Sequence, residues 1–151
     1  MTDYRPSQAV VFTADATLFA VWMAVPSAQT WKIWSGAQAE RFTYADMTRI
    51  EGNIDALIAI ASAVDPIQSR TWEAVTRASQ FSYSEAQKVE NALGELASAL
   101  GVQATMATDW SAGRTVSWID FERWESVGWA VYQAMGGASS RFSARGRKYL
   151  G

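Results

Sequence analysis

One ten-residue phrase is written three times along this chain, and it constrains the fold more than any other feature. It reads "FTYADMTRIE" at Phe42–Glu51, "FSYSEAQKVE" at Phe81–Glu90 and "VSWIDFERWE" at Val116–Glu125. Each copy places a hydroxyl (Thr43, Ser82, Ser117) three residues before an acid (Asp46, Glu85, Asp120). That is the capping-box pattern: the hydroxyl accepts from a free N–H of the first helical turn, and the acid reaches back to the cap residue's own N–H. The acid also meets the positive end of the helix dipole. Asp is a shorter substitute for the preferred Glu or Gln, so the first and third boxes read as the imperfect ones. Phe42, Phe81 and Val116 precede the caps, and Met47, Ala86 and Phe121 follow four positions after them, as in a hydrophobic staple.

The phrase continues with a cation three residues past each acid: Arg49, Lys88 and Arg123. This spacing suits a surface ion pair worth a few tenths of a kcal/mol. Beyond each start the apolar residues recur with a helical period: Met47, Ile50, Ile54, Leu57 and Ala61; then Ala86, Val89, Leu93, Leu96 and Leu100; then Phe121, Trp124, Val131 and Met135. Gly128 stands in the last series where a large residue is expected. Asp65-Pro66, Gly101 and Gly136-Gly137 supply stops. The expected helices span 44–63, 83–100 and 118–135.

Glu51, Glu90 and Glu125 close the three phrases, and helix propensity does not account for them. Each is either a solvent-facing helix former or an acceptor for a Trp indole or loop N–H of a connector. A tryptophan precedes each cap (Trp31, Trp72, Trp110), which suggests a unit of Trp-bearing lead-in, capped start and helix. Successive phrases begin 39 and 35 residues apart, within the range of helical repeat arrays. The expected fold is mainly α: three repeated capped helices in a small bundle or array with Trp-bearing linkers (31–140). A hydrophobic amino-terminal element (1–30) precedes it and a basic tail (141–151) follows. The amino-terminal runs "AVVFT" and "TLFAVWMAV" allow a β-hairpin, but the helical spacing of Leu18, Val21, Trp22 and Val25 tilts the reading toward a short helix over 15–25.

Composition narrows the chemistry. The chain of 151 residues has no Cys and no His, which removes thiol nucleophiles, disulfides, the usual neutral-pH general base and the commonest metal ligands. Carboxylates alone could serve a glycosidase, but these acids sit where helix starts already employ them. No catalytic residue, metal or cofactor is expected. Arg141, Arg145, Arg147 and Lys148 gather at the end, leaving nine basic residues against fifteen acidic elsewhere. The tail reads as a solvated terminus, with nucleic acid or an acidic partner surface as its functional alternative. The longest apolar run, Ala16–Val25, is half of what a spanning helix needs, and no signal-peptide pattern precedes it, so synthesis in the cytoplasm without a membrane anchor is expected. Eight tryptophans are many for this length. Trp22, Trp31, Trp34, Trp72 and Trp110 fall outside the three repeated helices, and those not absorbed by packing would mark an interface.

The first copy with its flanks, "RFTYADMTRIEGNIDAL" (Arg41–Leu57), resembles a segment of tailed-bacteriophage and prophage virion proteins. That segment reads as a Trp-containing lead-in and then hydroxyl-x-x-Asp-hydrophobic-Asn-Arg-Ile-Glu-x-Asn. Thr43, Asp46, Arg49, Ile50, Glu51 and Asn53 match it; Thr48 replaces its Asn, and the later copies "QKVEN" and "ERWES" match weakly. The resemblance implies a non-enzymatic virion component, tail- or connector-associated, that oligomerises and contacts other virion proteins. The rival expectation is a small regulatory or host-interacting module using the basic tail.

Overall fold

The structure, a computed structural model, describes residues 8–12, 20–24, 26, 28–38, 40–63, 65–73, 82–136, 140–143 and 148–150. Its main elements are three helices, α1 (Tyr44–Ala61), α2 (Tyr83–Ala99) and α3 (Trp118–Ala134). Each begins directly after its hydroxyl, and each ends one or two residues before the helix end expected of it at 63, 100 or 135.

The caps differ in an unexpected way. At α1, Asp46 N donates to Thr43 Oγ1 (3.4 Å) and Thr43 N to Asp46 Oδ2 (3.0 Å). At α3, Ser117 N donates to Asp120 Oδ2 (2.9 Å). At α2, Glu85 N donates to Ser82 Oγ (3.3 Å), but the Glu85 carboxylate turns to Lys88 instead of closing the box. The two Asp boxes close and the Glu box stays half open, the reverse of what acid length alone suggests.

The apolar stripes meet in one core: Met47, Ile50, Ile54 and Leu57 from α1, Val89, Leu93 and Leu96 from α2, and Trp124 and Val131 from α3 with Met135 just past its end. Helices α1 and α3 run parallel. Phe42, just before the α1 cap, stacks on Phe121 in the first turns of α3 (centroids 3.5 Å apart), and Arg49 one turn and more along meets Glu125. Farther along both helices, Gln29 bridges the Asn53 carbonyl and the Tyr132 hydroxyl. Phe42 thus stacks across the helix pair, where the sequence suggested a staple to Met47.

The amino-terminal element forms strands β1 (Gln8–Phe12) and β2 (Ala20–Ala24), paired antiparallel with Val10 opposite Trp22. This corrects the helical reading of 15–25: a run of β-branched and aromatic residues suits a strand as well as a helix, and the neighbouring strand decides. The tail is corrected too. A short strand β3 (Lys32–Ile33) pairs in parallel with β4 (Ser140–Ser143), which pairs antiparallel with β5 (Lys148–Leu150). Arg141 and Lys148 therefore belong to strands, not to a free terminus, and β4 ties the tail to the connector ahead of α1. Arg145, Arg147 and the staple residue Phe81 lie outside the described residues, as do the side chains of Trp22, Arg141 and Lys148.

Candidate functional site

The repeated acids converge on the seams between helices. Glu90 and Glu125 are 1% and 0% exposed, so the solvent-facing alternative fails for both. A carboxylate removed from water must be hydrogen-bonded and charge-paired, and these two are. Glu125 on α3 accepts from Lys32 N (2.8 Å), Trp34 Nε1 (3.4 Å) and the Arg49 guanidinium of α1 (Nη1 at 3.0 Å, with Nη2 closing the pair). Glu90 on α2 accepts from Ala107 N (3.1 Å), Trp110 Nε1 (3.3 Å), Trp124 Nε1 (2.8 Å) and the Arg123 guanidinium of α3 (Nε at 3.0 Å). The two sites share one recipe. A glutamate eight residues past a cap takes one backbone N–H and one indole N–H from a connector, and a guanidinium six residues past the neighbouring cap.

Those guanidiniums are held from behind by the capping acids. Arg123 reaches Asp120 (2.8 Å) and Arg49 reaches Asp46 (3.5 Å). Asp46 and Asp120 are buried, so the expected surface ion pairs are interior ones. Burial alone would raise both carboxyls. Hydrogen bonds outweigh it, from Lys32 and Thr43 at Asp46 and from Ser117 and Arg123 at Asp120, and hold both below the usual aspartate range. Burial likewise opposes the Arg123 charge, but Glu90 and Asp120 push its pKa upward.

The third seam, between α1 and α2, departs from the recipe. Its cation is Lys88, which donates to Glu85 Oε1 (2.6 Å) and to the Thr71 carbonyl (3.0 Å). Glu51, 7% exposed, lies beside the Glu85 carboxyl with Asp55 also near. Among the described residues, Glu51 Oε1 and Glu85 Oε2 are buried without a hydrogen-bond partner. Burial first, then the neighbouring Glu85 and Asp55 charges, push the Glu51 carboxyl up to about 7. A lysine ammonium lacks the planar fork that lets one arginine serve two acids, which is why the substitution at Lys88 leaves this pair under-neutralised. Among the described residues, no group of three or more metal-ligating side chains forms.

The tryptophan alignment is corrected here. Trp34 and Trp110 carry the indoles that reach Glu125 and Glu90, whereas Trp31 donates to Gln29 (3.1 Å) and Trp72 to Asp55 (2.8 Å). Trp31, Trp34 and Trp110 are core residues, so they do not form the contact surface expected of them; Trp72 is half-buried. Trp31 also explains Gly128. A Cβ at that position would fall 2.3 Å from the Trp31 ring, so the connector supplies the bulk that the helix omits. Arg114 was not anticipated at all: it stacks on Trp110 (3.6 Å to the ring centroid) and pairs with Asp120 (2.9 Å). It lies in a connector, where no periodicity signals it.

No protein-family model, curated protein or solved structure matches the chain.

Proposed function

We propose that the protein is a non-enzymatic structural component of a bacteriophage particle, built from three copies of one lead-in, cap and helix unit. It would act as a tail- or connector-associated adaptor that oligomerises and binds other virion proteins. The observation that carries the reading concerns the residue just after each cap. Tyr44, Tyr83 and Trp118 are 45%, 44% and 44% exposed, and Ile119 beside the last is 57% exposed. Exposed aromatics at equivalent places of three units form the kind of surface that protein contacts use, while the acids are spent inside. The resemblance of Arg41–Leu57 to phage virion segments supplies the setting.

Peptide mass spectrometry on purified particles tests this. Detection at a copy number that is a multiple of three, five or six is the expected result. Abundance in infected cells with absence from particles would refute it, and would promote a regulatory module that uses the basic tail on nucleic acid or an acidic partner.

A further inference from the structure

Beside the first helix start lies a cleft of about 170 Å³ lined by Trp34, Phe42, Trp118 and Phe121, with Glu40 as its charged residue and Gly36 and Ala37 completing it. It shares Trp34 with the Glu125 seam and Trp118 with the exposed aromatic set. Trp34 tilts against Phe42 and Phe121 at centroid distances of 5.7 and 5.6 Å, so three rings make one wall. Trp118, half exposed at the first position of α3, stands as the other. Gly36 at φ +80° lies against that indole: a Cβ there would meet Trp118 Cε2 at 2.7 Å. The tight turn therefore holds the second wall in place.

Glu40 shapes the polarity. Its two oxygens take Ser35 N (2.9 and 3.0 Å), Ser35 Oγ (2.7 Å) and Gly36 N (2.8 Å). Those bonds outweigh its desolvation and hold its carboxyl below the ordinary glutamate value, so it stays charged. Its acceptor positions are largely spent on the turn. The cleft thus offers negative potential and aromatic surface but little hydrogen-bonding capacity. An ammonium with N–H groups would lose water without replacement here, whereas a quaternary one has no N–H to satisfy. Lys32 stands over Trp34 at 5.8 Å and pairs with Asp46 at 2.5 Å.

We infer that the Trp34–Trp118 cleft with Glu40 binds a quaternary ammonium group of the choline type. The ligand can be free or carried on a phosphate ester.

The test is a titration of the intact chain with choline, following the indole N–H resonances of Trp34 and Trp118. Saturable shifts of both are expected. The neutral isostere 3,3-dimethylbutan-1-ol should bind at least about fivefold more weakly, because it keeps the shape and loses the cation–π and ionic attraction. Trp118→Ala should abolish the choline shift at Trp34. Glu40→Gln, which keeps an acceptor for the turn and removes the charge, should weaken choline severalfold without affecting the isostere. Phosphocholine matching choline would assign the group to a phosphate ester, and choline alone to a free solute; either supports the inference. Equal affinity for the neutral isostere, or no saturable shift with choline, would overturn it.

Discussion

Single residues carry unequal shares of this fold, and position decides the share. Glu90 is surrounded by two buried indole N–H groups, a backbone N–H and a guanidinium, and is itself 1% exposed. Removing one partner of a buried pair leaves the other charge uncompensated, typically at a cost of about 3–5 kcal/mol. Glu90→Ala should therefore lower unfolding stability by about that amount in urea titrations; a loss under about 1 kcal/mol would mean that solvent reaches the site. Gly128 makes the complementary point, since even a methyl there meets the Trp31 ring. Gly128→Ala should cost about 1–3 kcal/mol by overpacking, measured the same way. Recurrence at the close of each phrase leaves Glu90 open as a solvent-facing helix former or a connector acceptor, and Gly128 reads as a flaw in an apolar stripe until Trp31 is placed against it.

At the scale of elements, the helix starts were legible and their neighbours were not. A hydroxyl and an acid three apart act within one turn, so α1, α2 and α3 begin where the pattern places them. The fate of the capping acid depends on who stands nearby: Asp46 and Asp120 close their boxes, while Glu85 is drawn to Lys88 and sits against Glu51. That seam makes stability depend on pH. The Glu51 carboxyl has a higher pKa folded, about 7, than its ordinary value of 4.5. Between those values the native state holds a proton that the unfolded chain releases, so stability falls as pH rises through that window. The groups facing Glu51 are Glu85, Asp55 and Lys88, and the lowered Asp46 and Asp120 act in the opposite sense, only in more acidic solution. Glu51→Gln should raise the melting temperature at pH 8 and flatten its dependence between pH 5 and about 7. A wild-type profile already flat there would contradict the buried-acid account.

For the whole molecule, the connector ahead of α1 does more than lead into it. Lys32 N and Trp34 Nε1 serve Glu125, Trp31 packs over Gly128, and Gln29 bonds Tyr132, so the connector lies along α3 at the far end of the sequence. Strand β3 within it also pairs with β4. Deleting residues 1–40 should accordingly unprotect α3 in amide hydrogen exchange as strongly as α1. Retained α3 protection would show that the helices cohere without it.

The chain by itself determined where helices start and which faces they bury, because capping and periodicity act locally. Only the tertiary structure decided that Glu90 and Glu125 are interior acceptors, that Trp34 and Trp110 serve them, and that the amino-terminal run is a strand. Each of those depends on a partner distant in sequence. A carboxylate or an indole reads the same on a surface as in a core until the group that desolvates it is known.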